Sequence, residues 1–364
     1  MPPLDLSDIA MISSDRQLEI LSDLFRNFFG RPPTTRTALK GDASSRCLYR
    51  LQSGEQSAIG VYGPNRNENR AFLSFTKTFL QLGLPVPKLF LETENGFAYL
   101  LEDLGDETLF HKLIQARNAH DGSFPFVAVQ NDYESAIATL VEFQMKAGQA
   151  IDRSLCYQGD VFDDAAWKRD HIYFLDKFAE LFSPAFSERC EVEDELAEHR
   201  KLLSEFPCDR FLYRDFQSRN MMVTTNGLRF LDYQSGRIGY VAYDIASLLY
   251  DARADLPDGF RRTLFSEYVR LLLPYGYSHS QLSSAFAPFA LLRILQALGS
   301  YGNNGICNGH REYLTAIPFG LRNALSVIDN DLQLKPRTHV LRDLLQRLSE
   351  ERNWEHFEGN TTNG

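Results

Sequence analysis

Three side chains near the middle of the chain, Asp215, Asn220 and Asp232, have the types and the spacing that phosphoryl transfer needs. In this chemistry one carboxylate accepts the proton of the attacking hydroxyl, while an amide oxygen and a second carboxylate hold the cation that neutralises the phosphates. Mg²⁺ takes oxygen ligands and keeps several waters, so two protein side chains and phosphate oxygens are enough to hold it. We therefore assign Asp215 as the catalytic residue and Asn220 and Asp232 as metal ligands.

A β-hairpin is predicted between Asn220 and Asp232. Two short apolar runs flank the pair Asn226-Gly227, and this pair between such runs favours a tight hairpin turn. Because a hairpin returns the chain to its starting point, Asp232 is expected beside Asn220. An Asp followed five residues later by an Asn is also common in surface turns, and the hairpin is the context that favours a metal site here.

A helix is predicted to begin at Asp244. Ile245, Leu248, Leu249 and Ala252 recur at helical spacing directly after it, and an Asp in this place is typical of an N-cap. We call residues 213–220, which include Asp215 and Asn220, the catalytic loop. We interpret Asp244 as a structural brace of this loop rather than as a catalytic residue.

The composition excludes several function classes. The net charge of −10 argues against a nucleic-acid surface. No long run of apolar residues and no basic-then-apolar amino terminus is apparent, so neither a membrane span nor a secretory signal is expected, and we predict a cytoplasmic protein. The five cysteines are odd in number and scattered, which predicts reduced packing thiols rather than a disulfide framework or a zinc site.

The chain resembles the aminoglycoside phosphotransferase-like kinases, and among them the bacterial anomeric N-acetylmuramate/N-acetylglucosamine kinases of cell-wall recycling. The resemblance runs nearly end to end and rests on residues 41–46 (GDASSR), 101–106 (LEDLGD), 213–220 (YRDFQSRN), 231–234 (LDYQ) and 243–249 (YDIASLL). The Asp215, Asn220 and Asp232 core is common to many kinases, whereas residues 42–44 and 102–105 are closer to this one family. It implies an α+β, bilobal, protein-kinase-like fold that binds ATP and Mg²⁺. The expected parts are a small β-rich N-terminal lobe over residues 1–102, a larger and mostly helical C-terminal lobe over residues 103–350, and a mobile tail over residues 351–364.

By this resemblance, the ATP phosphates would lie on Ser44, Ser45 and Arg46, and the adenine would contact the main chain of Glu102 and Leu104.

Protein kinases pair a strand lysine with the α- and β-phosphates, but residues 58–62, the corresponding strand here, contain none. We hypothesise that Arg46 supplies this cation, with Arg66 as the alternative.

Several residues are candidates for contact with the acceptor substrate, which receives the phosphoryl group. Arg219 is a candidate for stabilising charge on the transferring group, with a structural ion pair as the alternative. Gln217 could orient the substrate hydroxyl. Asp163 and Trp167 fall where this class inserts substrate-contacting helices. We expect packing to be the main use of Trp167, with an exposed sugar platform as the alternative.

The resemblance implies phosphorylation of a hydroxyl, expected to be the anomeric one, on an N-acetylated amino sugar. Another sugar, an amino alcohol or an aminoglycoside remains an alternative acceptor. A different class, a nucleotide-binding pseudokinase with a regulatory role, is favoured by the missing lysine and by the single glycine of residues 41–46. Asp215, Asn220 and Asp232 oppose it. We expect a small-molecule partner and neither nucleic acid nor membrane, and the sequence does not predict the oligomeric state.

Overall fold

The computed structural model describes residues 13–39, 45–119, 124–183, 186–350 and 354. These residues form two compact units. Unit 1 comprises the described residues up to Leu109 together with Gln149–Asp160 and Arg219–Gly236. Unit 2 comprises Phe110–Gly148, Val161–Ser218 and the described residues from Arg237 onward. The division at residues 102 and 350 stays a prediction, and of the predicted tail only Trp354 lies within the described residues.

Unit 1 contains an antiparallel sheet. Its strands are β1 (Thr35–Leu39), β2 (Cys47–Ser53), β3 (Gln56–Tyr62), β4 (Leu89–Glu92) and β5 (Ala98–Glu102). They are ordered β1-β2-β3-β5-β4. The turn between β2 and β3 contains Gly54 at φ +61°, a left-handed conformation that glycine adopts without steric cost.

Two helices, α1 (Ser14–Phe29) and α2 (Arg66–Gln81), pack on this sheet. Leu21 and Phe25 of α1 lie in one apolar core with Leu100 of β5. Phe72 of α2 stacks on Tyr99, with ring centroids 5.2 Å apart. Because successive strand residues point to opposite faces, Leu100 and Tyr99 give the sheet two buried faces, with α2 on the Tyr99 face.

The predicted hairpin is confirmed. It consists of β7 (Met221–Thr224) and β8 (Gly227–Phe230), paired in register from Met221↔Phe230 to Thr224↔Gly227. Gly227 has φ +96°, which explains why a glycine follows Asn226 at this turn. The hairpin is joined to the rest of unit 1 by a hydrogen bond from Phe230 N to Pro85 O of 2.9 Å.

Unit 2 is mostly helical. Its helices are α3 (Leu109–Ala119, whose first residue belongs to unit 1), α4 (Phe126–Ala147), α5 (Asp164–Phe174), α6 (Glu180–Phe182), α7 (Arg189–Leu203), α8 (Ala242–Leu249), α9 (Asp258–Leu272), α10 (His279–Gly302), α11 (Ile317–Asn330) and α12 (His339–Ser349). A two-stranded antiparallel ribbon pairs β6 (Arg210–Leu212) with β9 (Arg237–Gly239). The predicted α+β class, a small antiparallel sheet followed by a mostly helical region, is confirmed.

Helix α10 is the central helix of unit 2 and packs against α5, α8 and α11. Together with the π-helical turn that follows it, the segment His279–Cys307 is long and apolar enough to cross a membrane. In the most apolar 18-residue stretch of this segment, 67% is buried inside the protein. The core helix of a globular protein can be equally long and equally apolar, so this segment is weak evidence for a membrane span.

All five cysteines lie within the described residues and form no disulfide there. Cys156 is buried, as expected for a packing thiol, whereas Cys190 and Cys307 are exposed. The packing interpretation is therefore wrong for these two residues, because both lie at helix positions that face solvent.

Candidate active site

The base of the hairpin brings Asn220 and Asp232 together in unit 1. Asn220 ends a short 3₁₀ turn (Ser218–Asn220) directly before β7. Its carbonyl accepts the N–H of Leu231 at 2.8 Å, which extends the pairing of the hairpin by one step. Asp232 follows Leu231 in the chain, so the backbone pairing places Asp232 next to Asn220 at the base of the hairpin.

Asp232 has a constrained environment. Its φ of +67° is in the left-handed region, where Asp is tolerated better than most residues but still stores strain. Its Oδ1 atom accepts hydrogen bonds from Arg46 Nη2 at 2.7 Å and from Gln234 Nε2 at 2.8 Å. The side chain is nevertheless 36% exposed, so the carboxylate is open to a ligand.

Arg46 also pairs with Glu68 of α2, with Nε 3.6 Å from Oε1. Burial by itself would lower the pKa of the Arg46 guanidinium, but Asp232, Tyr99 and Glu68 raise it overall. The pKa of Glu68 is raised, mainly by burial, while Arg46 opposes that shift. Arg46 is thus a fully ionised cation between two acids.

The donor set at the hairpin base fits a magnesium ion. An amide oxygen from Asn220 and carboxylate oxygens from Asp232 are hard oxygen ligands, and Mg²⁺ needs few protein ligands when phosphate and water complete its coordination. The guanidinium held at Asp232 shows that this carboxylate already attracts positive charge. Asn220 and Asp232 could therefore hold the metal.

Of the predicted phosphate-loop residues, Ser44 lies outside the described residues. Ser45 is exposed, and Arg46 makes the contacts given above.

Glu102 and Leu104 lie at the end of β5 and in the loop after it. The Glu102 N–H donates to Lys88 O at 2.9 Å, and its carboxylate pairs with Arg229 at 3.1 Å. Both groups therefore already have protein partners. Leu104 is half-buried, and adenine contacts from either residue stay a prediction.

Asp103, which sequence reasoning did not assign, fixes this loop. Its carboxylate pairs with Arg50 Nε at 2.8 Å, accepts the hydroxyl of Ser57, and accepts the N–H of Gly105 at 3.1 Å. The signal was present, since Asp103 lies inside the block of residues 101–106 that carries the resemblance.

The catalytic loop begins in unit 2, directly after β6. Tyr213 is buried, with its ring packed edge-on against Phe143 and Phe216 at 5.3 and 5.2 Å. Asp215 is half-buried, and its carbonyl accepts the N–H of Gln217 at 2.9 Å in a tight turn. Gln217 itself is half-buried. The turn therefore orients Asp215 and Gln217 together.

Arg219 is half-buried and is the first residue of the catalytic loop that belongs to unit 1. Its predicted role in stabilising the transferring group stays a prediction.

Asp244 is not an N-cap, so that prediction is wrong. Helix α8 begins earlier, with Val241 at the cap position, and Asp244 lies in its first turn. Its fully buried carboxylate instead accepts the backbone N–H groups of Tyr213 at 2.8 Å and Arg214 at 2.9 Å. Burial raises the pKa of Asp244 to about 7, and the two N–H donors oppose that shift. Its partners are thus the two residues directly before Asp215.

Arg214 was missed by sequence reasoning, although it directly precedes Asp215. It has φ +81°, and its guanidinium pairs with Asp170 Oδ1 at 2.8 Å and donates to the Tyr243 hydroxyl at 2.6 Å. The same guanidinium lies 4.7 Å from the centroid of the Phe162 ring. These contacts tie the catalytic loop to α5 and α8.

Asp163 and Trp167 have structural contacts. The Asp163 carboxylate caps α5 by accepting the N–H of Ala166 at 3.2 Å. Trp167 is only 3% exposed and packs edge-on against Phe162 and Phe289. These rings cover the indole, as the packing interpretation of Trp167 predicts, so Trp167 does not form the exposed platform named as the alternative. Contact with a substrate stays a prediction for both residues.

The chain belongs to the phosphotransferase enzyme family, which matches residues 35–277. This membership confirms the predicted enzyme class, an ATP-dependent phosphotransferase.

Two relatives are similar over most of their length. The N-acetylmuramate/N-acetylglucosamine kinase of Pseudomonas putida is 28% identical over 319 residues, which cover 82% of this chain and 86% of the relative. The enzyme of the same name from Pseudomonas aeruginosa is 25% identical over 334 residues, covering 87% and 89%. The resemblance inferred from the motifs is thus confirmed.

Among solved structures, a spectinomycin phosphotransferase in complex with ADP and spectinomycin has a TM-score of 0.55 at 12% sequence identity. The alignment covers 89% of this chain and 98% of that one. At this identity the likeness concerns the fold, and it confirms the predicted protein-kinase-like fold.

Proposed function

We propose that this protein transfers the γ-phosphoryl group of ATP to the anomeric hydroxyl of an N-acetylated amino sugar, with N-acetylmuramate and N-acetylglucosamine as the first acceptors to test. The observation that carries the phosphoryl-transfer chemistry is the hairpin closed by Leu231 and Asn220, which sets Asp232 beside Asn220. The choice of acceptor is supported by the two relatives named as kinases of these sugars.

In the proposed reaction, the acceptor hydroxyl loses its proton to the carboxylate of Asp215 as its oxygen attacks the γ-phosphorus. The bond between that phosphorus and the β–γ bridging oxygen breaks, and ADP leaves with the electron pair. Asn220 and Asp232 would hold Mg²⁺, which when bound neutralises charge on the phosphates. Ser44, Ser45 and the main chain near Leu104 would contact the nucleotide.

On the acceptor side, Gln217 would orient the hydroxyl, and Arg219 would stabilise charge on the transferring group. Asp244 would brace the loop that carries Asp215, a role supported by its bonds to Tyr213 and Arg214. Asp163 and Trp167 remain candidates for indirect shaping of the acceptor site. We further propose the cytoplasm as the site of action, where ATP is available.

A pseudokinase is the second candidate, because β3 contains no lysine. The measurement that separates the two is ADP release from Mg-ATP with a panel of amino sugars, other sugars, aminoglycosides and amino alcohols. Asp215→Asn should lower acceptor-dependent turnover by on the order of 10²–10⁴-fold, as expected for loss of a general base. Asp209→Asn, which changes an exposed acid of the same unit, is the matched control and should retain activity.

The position of transfer can be tested with the methyl glycoside of N-acetylglucosamine, in which the anomeric oxygen carries no proton. Turnover with the free sugar and none with the glycoside supports anomeric transfer. Equal turnover with both would place the reaction at another hydroxyl. Tight ADP binding without turnover on any acceptor would instead favour the pseudokinase.

A further inference from the structure

We infer that Arg46, the residue directly before β2, supplies the phosphate-binding cation that β3 lacks, and that Glu68 and Asp232 hold it in position. The inference rests on the proposed phosphoryl transfer and assigns a nucleotide-positioning role to one side chain. A protein kinase places this cation on the strand corresponding to β3 and pairs it with a helix carboxylate. Here the helix carboxylate is present, and the cation comes from the residue directly before a different strand, β2.

The register of the sheet shows why β3 cannot supply the cation. Val61 pairs with Leu48 on one side and with Tyr99 on the other. Directly paired residues of antiparallel strands share one face of the sheet, and Tyr99 stacks on Phe72 of α2. Val61 thus lies on the face of β3 that is turned toward α2, and it is apolar and 3% exposed.

Arg46 reaches the same face from the neighbouring strand. It lies directly before β2 and two residues before Leu48, so continuing the alternation of the strand by one residue places its side chain on the Leu48 side. Its long side chain then meets Glu68 of α2, at 3.6 Å, and Asp232 after the hairpin, at 2.7 Å. The pairing between a cation and helix α2 is thus kept, but the cation comes from Arg46 before β2 instead of from the Val61 position of β3.

The contacts of Arg46 suit a phosphate-binding role. A guanidinium has five N–H donors in a fixed plane, so it can hold carboxylates and a phosphate oxygen at the same time. Gln234 Nε2 lies 2.8 Å from Asp232 Oδ1 and 3.4 Å from Glu68 Oε1, which links the two acids that orient the guanidinium. The Arg46 side chain is 13% exposed and that of Asp232 is 36% exposed, so the cluster is open to a ligand on the side of Asp232.

Arg66 is the competing candidate and its surroundings differ. It is exposed at the start of α2 and lines a surface groove with Arg70 and Lys77. None of Arg46, Glu68 and Asp232 is among the residues that line this groove. Arg66 therefore serves as a matched control, since its removal takes away the same charge from the same unit.

The test measures the dissociation constants of ADP and of adenosine by calorimetry for the wild type, Arg46→Gln, Arg46→Lys and Arg66→Gln. Loss of a charge-assisted phosphate contact should weaken ADP binding about 10- to 100-fold in Arg46→Gln. Adenosine has no phosphate, so its affinity should not change. Arg46→Lys should fall between the wild type and Arg46→Gln, because it keeps the charge but loses the planar fork. Arg66→Gln should match the wild type.

Three results would overturn the inference: unchanged ADP affinity in Arg46→Gln, a loss of ADP affinity in Arg66→Gln instead, or equal losses for ADP and adenosine, which indicate a purely structural role. If Arg46→Gln does not fold, Arg46→Lys still decides, since equal losses of ADP and adenosine affinity in that variant would indicate a purely structural role, whereas a loss confined to ADP supports the contact with phosphate. No acceptor is present in these measurements. A failure of the sugar panel with intact ADP binding would therefore count against the proposed acceptor and leave Arg46 assigned.

Discussion

The carboxylate of Asp244 accepts the backbone N–H of Arg214 at 2.9 Å, from a position 30 residues further along the chain. Arg214 has φ +81°, and a non-glycine residue in this region costs on the order of 1–3 kcal/mol. The next residue is Asp215. The hydrogen bond therefore acts on backbone that is strained directly before the proposed catalytic carboxylate.

Asp244→Asn should weaken this support. An Asn side chain has one acceptor oxygen, so its NH₂ group must face one of two backbone N–H donors, and leaving such a buried donor unpaired costs about 1–3 kcal/mol. We expect a lower free energy of unfolding by that amount and a kcat reduced at least about tenfold, with ADP affinity close to the wild type. Urea unfolding, steady-state kinetics and ADP titration measure the three quantities.

Asp258→Asn is the matched control for this variant, because Asp258 is also in the first turn of a helix but its side chain is 70% exposed. It should leave both kcat and stability nearly unchanged. Wild-type kcat in Asp244→Asn would show that the two hydrogen bonds do not control the position of Asp215.

The sequence predicted the full geometry of the hairpin, whereas for Asp244 it predicted a brace of the catalytic loop but neither its exact partners nor the start of its helix, and the difference has one physical reason. The pair Asn226-Gly227 determines its own turn geometry, so the return of Asp232 to Asn220 follows from adjacent residues. The bonds of Asp244 join it to Tyr213 and Arg214, which no periodicity connects to it. The apolar spacing after Asp244 suggested a helix start, but the helix begins earlier and turns this carboxylate inward.

The element that covers a buried aromatic residue was equally hidden from the sequence. Trp167 is covered by Phe289, more than a hundred residues further along the chain. A helical pattern indicates which residues share a face, but it does not indicate which distant element covers that face. For Arg46, in contrast, the missing lysine of β3 pointed to the residue, and the structure added its partners Glu68 and Asp232.

A second prediction concerns the close approach of α10 to the π-helical turn Leu175–Ala179. A Cβ atom at Gly302 would lie 1.8 Å from the carbonyl oxygen of Lys177, so the backbone must shift to admit it. Gly302→Ala should lower the free energy of unfolding by about 1–3 kcal/mol.

Gly259 in α9 provides the opposite case, since a Cβ there meets nothing within 4 Å. Gly259→Ala should raise stability by about 0.5–1 kcal/mol through the helix preference of Ala. Paired urea titrations compare the two variants. Equal effects of both substitutions on the free energy of unfolding would show that the close contact at Gly302 does not determine the outcome.

A third prediction concerns pH and the buried pair His171 and His199. His199 Nε2 lies 2.9 Å from Pro288 O and must carry the proton, so Nδ1, at 3.3 Å from His171 Nε2, accepts. Burial lowers the pKa of His199 to about 4 and also lowers that of His171. Between pH 6.5 and about 4 the unfolded chain binds more protons than the native protein. The contribution of these neutral histidines to the free energy of unfolding is therefore fully present above pH 6.5 and is lost as the pH falls through that range.

Each such histidine contributes a slope of up to about 1.4 kcal/mol per pH unit. Urea unfolding at pH 7 and at pH 5 should therefore show a smaller pH dependence in His199→Gln than in the wild type. His279→Gln, at the exposed start of α10, should keep the wild-type dependence. A pH dependence of His199→Gln that equals that of the wild type would argue against a neutral buried pair.

The last prediction returns to Arg214, whose guanidinium is 9% exposed and pairs with Asp170, which is 13% exposed. Breaking a buried ion pair by removing one partner typically costs about 3–5 kcal/mol, because the other charge stays buried without compensation. Arg214→Ala should therefore be strongly destabilised and have a low kcat. Removing both charges in Arg214→Ala/Asp170→Ala should recover part of the stability but not the kcat, since the tie from the catalytic loop to α5 is still absent. A double-mutant cycle on unfolding and on kcat separates the two effects. Recovery of kcat together with stability would mean that Arg214 supports folding only and does not position Asp215.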